Sequence, residues 1–238
     1  MTLMVKNIYK KYKKKYVVNN VTFHLNPGEI VGLIGPNGAG KTTSFYMIVG
    51  LIKPYRGKII LNEEDITNYP IHQRSRKGIG YLAQEPSIFR KLSVEDNILC
   101  ILEMQEKIDQ KENKNKMEQL MEEFGLQDIR KNRGDILSGG ERKRTEIARC
   151  LAINPKFILL DEPFSGIDPI AMEELQRIIL SLKKKNIGIL ITDHNVQEIF
   201  SITDRLYLMV EGKILKEVYS QEELRQDSMV RKVYLGNK

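Results

Sequence analysis

The chain has 238 residues, a formal net charge of +7, no tryptophan and two cysteines. That length suits one large domain, or one domain with a subdomain, and can bury a substantial core. No apolar run approaches the ~18–20 residues needed to span a bilayer, and the early lysines are followed by no apolar segment, which argues against a secretory signal and predicts a cytoplasmic location.

Residues 3–30 read as short strands with turns, ending in the Pro27-Gly28 turn. Six lysines lie between Lys6 and Lys15, and the first acid is Glu29. This run fits compositional bias, since Lys, Asn and Ile are abundant throughout, or a surface near an anionic membrane leaflet. Nucleic acid is a weaker fit, because no stacking aromatics or known binding module accompany the run. Ile30 to Ile34 is apolar and partly β-branched, as a buried parallel strand should be. Residues 35–43 then read GPNGAGKTT, and Thr42 to Leu51 suits a helix. Residues 57–62 and 78–84 look like further strands. From Ser93 to Ile153 the pattern is helical, with residues 107–123 an exposed amphipathic helix carrying Ile108, Met117, Leu120 and Met121. Residues 157–161, 188–192 and 205–210 read as strands. A helix between the first two opens with Asp168 as N-cap and Pro169 at its first position. The order is α/β with a helical insertion over 85–154, without internal repeats. Cys100 and Cys150 lie far apart and in no metal spacing, so both read as reduced core thiols. Residues 219–238 include a short helical candidate, SQEELRQ.

The chemistry concentrates in three stretches. In the first, Gly35, Gly40, Lys41 and Thr42 fit G-x-x-x-x-G-K-[ST] between a strand and a helix. The loop Gly35, Pro36, Asn37, Gly38, Ala39, Gly40 would present backbone N–H groups to phosphate at a positive helix end. Lys41 adds a point charge for the β and γ phosphates. The Thr42 hydroxyl is placed for Mg2+, and Thr43 for an α-phosphate oxygen. In the second, FILLDEP, a buried strand ends in Asp161 and Glu162, where parallel sheets bind ligands. Asp161 would hold Mg2+ through water, and Glu162 could polarise the attacking water. In the third, LSGGERKR, Ser138 and Glu141 have capping-box spacing, so a plain helix start is one reading. Gly139 and Gly140, however, each cost about 1 kcal/mol in a helix relative to alanine. Bare N–H groups facing an anion would account for that cost.

The third stretch, with the other two, resembles the ATP-binding cassette (ABC) ATPases over nearly the whole chain. The resemblance implies a phosphate-loop cassette fold: a RecA-like core with an antiparallel β subdomain over residues 1–84 and 155–238, and a helical subdomain over 85–154 carrying the signature. It implies that Gln84 senses Mg2+ and the γ-phosphate, and that His194 contacts the γ-phosphate. Asp168 would belong to the D-loop, in a Ser-Gly-Ile-Asp variant of the usual Ser-Ala-Leu-Asp. Tyr12 lies where the family stacks an aromatic on adenine, with Tyr16 as competitor. Cassettes of this family pair head to tail, so a second identical chain would close each ATP site with Ser138, Gly139 and Gly140. Membrane-spanning subunits would dock near Gln84, Phe89, Arg90 and Leu92; Phe89 and Leu92 could instead be core residues.

A finer resemblance is to the ATPase subunits of lipopolysaccharide-export transporters. It rests on GPNGAGKTTSFYMIVGLI, GIGYLAQEPSIFRKLSV, NPKFILLDEPFSGIDPI, LITDHNV and VRKVYLG. Ala83 departs from the proline usual there. This resemblance implies a homodimer under two membrane proteins, peripheral on the cytoplasmic face of the inner membrane, with no specific nucleic-acid partner. Branched-chain amino-acid importer ATPases are the near alternative. A soluble cassette acting on nucleic acid or ribosomes is the more distant one.

Overall fold

A computed structural model of the chain describes residues 1–105, 109–219 and 223. The chain opens with two long strands, β1 (Leu3–Tyr12) and β2 (Lys15–Leu25), rather than several short ones. Lys13, in the left-handed region at φ +53°, turns one into the other. β1 pairs antiparallel with β2 on one side and with β4 (Arg56–Leu61) on the other. β5 (Glu64–Asp65) completes a four-stranded sheet in the order β2-β1-β4-β5.

The second sheet has β3 (Ile30–Ile34), β6 (Ile79–Leu82), β7 (Phe157–Asp161), β8 (Gly188–Thr192), β9 (Arg205–Val210) and β10 (Lys213–Val218), in the order β10-β9-β3-β8-β7-β6. All its pairings are parallel except the β9–β10 edge. Both faces are covered, which explains the continuous apolar strands. Ile30, Ile158, Leu160, Ile189 and Ile191 enter one core cluster. Val31, Leu33, Phe157, Leu159 and Leu190 enter the other, shared with the antiparallel sheet and with α1 (Lys41–Val49). The period-2 alternation of a strand thus feeds two cores at once.

Residues 85–154 supply α3 (Val94–Glu103), α4 (Gln110–Glu123) and α5 (Gly139–Leu151). The expected helix over 107–123 begins at Gln110; Lys107 and Ile108 lie outside the described residues. Met117, Leu120 and Met121 are buried, with Ile98, Leu102 and Ile147, in the same cluster as β7 and β8. These helices have no separate core; one apolar cluster runs from them into the sheet. α6 (Pro169–Lys184) starts as expected: Ala171 N–H donates to Asp168 Oδ1 at 3.0 Å, with proline in the first turn. α7 (Val196–Ile202) precedes β9. Both cysteines are free and half-buried, and burial pushes the Cys150 thiol up to about 12. SQEELRQ, apart from Glu223, and VRKVYLG fall outside the described residues.

The helix α2 (Ile71–Arg76) is legible only in three dimensions. Its Arg74 is buried and donates to four backbone carbonyls: Tyr69 at 2.8 Å, Thr67 at 2.8 Å, Met47 at 2.7 Å and Ile48 at 2.6 Å. Two of these end α1, where a cation meets the negative end of the helix dipole. Burial draws the guanidinium down to about 10, so it stays charged at neutral pH. Replacing it strands buried acceptors, at about 1–3 kcal/mol for each group left unpaired. Arg74→Met is therefore expected to lower Tm by at least ~6 °C in a thermal melt; a change within 2 °C would show that the carbonyls find water instead.

Candidate active site

The loop between β3 and α1 is squeezed by its neighbours. A Cβ on Gly35 would lie 2.1 Å from Met209 O, and one on Gly40 would lie 2.4 Å from Val17 O. Gly40 also sits at φ +105°, as the N-cap of α1 with no side-chain cap. The first-turn N–H groups of α1 are thus left open toward an anion. A cavity of about 510 Å³ opens there, lined by Val17, residues 37–43, Gln84, Glu162 and His194. Lys41 is buried and donates to Gly35 O at 2.7 Å and Pro36 O at 3.1 Å. Burial lowers its pKa, against the charges of Glu162, Asp161 and Asp193.

Asp161 ends β7 beneath this cavity and is fully buried. Tyr81 Oη donates to its Oδ2 at 3.4 Å, while its Oδ1 has no partner. Burial, followed by the charge of Glu162, raises the carboxyl from 3.8 to about 6, against Tyr81, Lys41 and Thr42. A buried carboxylate with one orphaned oxygen beside a threonine fits a hard divalent cation. Glu162 follows in the left-handed region at φ +50°, and its N–H donates to Thr192 O at 2.8 Å. This turn aims its side chain back over the loop. Its Oε2 accepts from Gln84 Nε2 at 2.7 Å and lies 3.3 Å from His194 Nδ1. The structure therefore brings together the phosphate loop, Asp161, Glu162, Gln84 and His194.

Other expected residues stand apart from the cavity. Ser138 caps α5 in a full capping box: Glu141 N–H donates to Ser138 Oγ at 3.3 Å, and Ser138 N–H donates to Glu141 Oε2 at 2.8 Å. The glycines after it have a packing reason that the sequence did not reveal. A Cβ on Gly139 would meet Gly166 O at 3.0 Å, and one on Gly140 would meet Ala171 Cβ at 2.7 Å. Ser138, Gly139, Gly140 and Asp168 do not line the cavity of their own chain. Tyr12 and Tyr16 are exposed and do not line it either; Val17 does. Lys10 Nζ lies 5.6 Å from the Tyr12 ring centroid, and Tyr16 packs edge-on to Tyr9.

Asp193 is the residue that sequence reasoning passed over. It is buried; its Oδ2 accepts from Phe164 N–H and its Oδ1 from Asn195 N–H, each at 3.1 Å. It thereby ties the loop after Glu162 to the loop bearing His194. An acid just past a buried parallel strand was the available signal, the same one that exposes Asp161.

A phosphate loop facing a strand-end Asp-Glu pair defines a nucleoside-triphosphate-binding α/β protein. More narrowly, the chain belongs to the ABC transporter family, which its residues 18–165 match, and it is an ATPase of that family. It is 51% identical to the lipopolysaccharide export system ATP-binding protein LptB of Acidithiobacillus ferridurans, over 99% of this chain and 97% of that one. It is 49% identical to LptB of Haemophilus influenzae, over 98% and 97%. Among solved structures, a nucleotide-free ATP-binding cassette from an ABC transporter superposes with a TM-score of 0.88 at 29% identity, covering all of both chains.

The raised pKa of Asp161 fixes the sign of its pH effect. Its contribution favours the fold below about 3.8 and is lost as pH rises through about 6. Asp161→Asn is expected to stabilise the nucleotide-free protein by ~1–3 kcal/mol at pH 7.5, with the gain fading below pH ~4. The same variant should lose the thermal shift that Mg2+-ATP gives. Melts across pH, with and without Mg2+-ATP, test both halves.

Proposed function

We propose that this chain is the ATP-hydrolysing motor of a lipopolysaccharide-export transporter, working as a homodimer beneath two membrane-spanning subunits on the cytoplasmic face of the inner membrane. The observation that carries this reading is identity of about half to LptB proteins across nearly the full length of both chains. No described helix is long and apolar enough to cross a membrane, so translocation falls to partner subunits.

The residues suggest a division of labour. Lys41 exchanges the Gly35 and Pro36 carbonyls for phosphate oxygens, which a cation prefers to neutral acceptors. Asp161, Thr42 and Gln84 would hold Mg2+. The described residues contain no cluster of three metal-binding side chains, as suits an ion that takes its other ligands from phosphate and water. When bound, the ion neutralises charge developing on the transferred phosphoryl group. Glu162 orients the attacking water, with Gln84 and His194 fixing its Oε2. The Tyr12 ring, or that of Tyr16, would stack on adenine.

The signature of one copy meets the loop of the other. Ser138 Oγ already accepts from Glu141 N–H, so its proton is free to donate to a γ-phosphate. One chain carries one phosphate loop and one such serine, and a twofold pair satisfies both. Asp168 caps α6 and lies in the chain between Gly166 and Ala171, the residues that crowd Gly139 and Gly140.

Phe89, Arg90 and Leu92 are exposed. Ile88 takes the core position instead, leaving Phe89 44% and Leu92 37% exposed. Asn97 grips Phe89 through its backbone, accepting from N–H at 2.9 Å and donating to C=O at 3.1 Å. Arg149 lies under the ring, 4.4 Å from its centroid. An exposed aromatic on a stiff backbone suits a docking anchor.

Glu162→Gln is expected to retain ATP binding, lower turnover by ~10²–10⁴-fold and accumulate as a dimer. Phosphate release and size-exclusion chromatography with ATP check this, and turnover at the parent rate removes Glu162 from catalysis. Purification from native membranes should recover two lipopolysaccharide-export membrane subunits, with much less recovered by Phe89→Ala. Recovery of amino-acid permease subunits would overturn the export reading.

A further inference from the structure

Tyr81 lies on β6, three residues before Gln84, and none of the nucleotide-binding motifs includes it. Three parts of the molecule meet at its side chain. Its hydroxyl reaches Asp161 Oδ2, whose sister oxygen has no partner. Its ring stands edge-on to Tyr46 of α1, with centroids 6.4 Å apart and planes at 90°. Its remaining surface helps line a cavity of about 220 Å³ among α2, α3 and α5, together with Ser87, Glu146, Arg149 and Cys150. That cavity runs beneath the proposed docking residues. Arg149 carries the Phe89 ring and donates to Ser87 O at 2.8 Å. Glu146 accepts from the N–H groups of Ser87 and Ile88.

We propose that Tyr81 is a positioning residue: it orients the Asp161 carboxylate for its cation, and it lets occupancy of the groove beside Gln84 bear on that carboxylate. A carboxylate with no partner on either oxygen is free to rotate about its last bond. The Tyr81 hydroxyl engages Oδ2 and so leaves Oδ1 as the oxygen offered to a cation. The ring is packed between α1 and the cavity. Arg149 and Ser87 line the same cavity as the ring, so a side chain that presses them inward fills the space into which the ring, and its hydroxyl, could otherwise shift. The second half of the proposal rests on the docking reading above; the first half does not.

The test uses the full chain without partners. Tyr81→Phe keeps the ring and deletes the hydroxyl. The Mg2+ concentration giving the half-maximal thermal shift at fixed ATP should rise by ~3–10-fold, the worth of one net hydrogen bond. Nucleotide binding in EDTA should not change; the lower nucleotide-free Tm expected from the acceptor left unpaired on Asp161 is removed by reading every shift from that variant's own nucleotide-free Tm. An unaltered Mg2+ dependence overturns the positioning role, as does a shift that appears in Tyr81→Leu but not in Tyr81→Phe.

The link to the groove is read by a double-mutant cycle with Arg149→Ala, or Arg149→Lys if the alanine variant does not fold. An Mg2+ shift in the parent that is absent in the Tyr81→Phe background supports the link. Equal shifts in both backgrounds, or none in either, overturn it. Undiminished recovery of membrane subunits by Phe89→Ala would sink the docking reading while leaving the hydroxyl measurement intact, so the two failures are separable.

Discussion

Two backbone carbonyls shape the site: Met209 O beside Gly35 and Val17 O beside Gly40. They come from different sheets, β9 and β2, so the phosphate loop is clamped where the sheets meet. Backbone hydrogen bonds complete the clamp. Asn19 N–H donates to Gly212 O at 2.7 Å, and Gly212 N–H donates to Ala39 O at 2.9 Å. The glycines are therefore dictated by crowding from behind as well as by the ligand in front. The antiparallel sheet, which contributes little to the catalytic residues, holds the loop in the shape that catalysis needs.

The charges in this clamp are held at some cost. Lys41, Asp161, Glu162 and Asp193 are all buried within one region. Burial works against the charged forms of Lys41 and Asp161, and their mutual attraction only partly offsets it. Lys41 meanwhile settles on neutral carbonyls. A polyanion with a divalent cation supplies the partners this arrangement lacks. Site residues set against their own stability are a common mark of function.

What the sequence revealed follows from how local the chemistry is. The phosphate loop, Asp161-Glu162 and the Asp168-Pro169 helix start were readable because each is set by contiguous residues. The pairing of β1 with β4, the small helix α2 and the four-carbonyl role of Arg74 were not, because each depends on partners many residues away. Asp193 was missed for the same reason: its significance lies in Phe164, on a different loop. The signature glycines were read only in part. Their bareness toward a ligand could be argued from residue type, whereas their contacts with Gly166 and Ala171 could not. The choice between Tyr12 and Tyr16 was unreadable because a stacking role depends on where the hairpin tip sits.

The grip of Glu146 on the segment after Gln84 has a mechanical meaning. Its carboxylate, buried in the middle of α5, binds the backbone of Ser87 and Ile88, while Ser138 caps the far end of the same helix. A rigid rod is thus tied, through Glu146 and Arg149, to the strip that follows Gln84, with its tip at the face where a second copy would press in the proposed dimer. Tilting that rod by a few degrees would tug the strip and swing the tip in a single stroke, so the two cannot be timed independently.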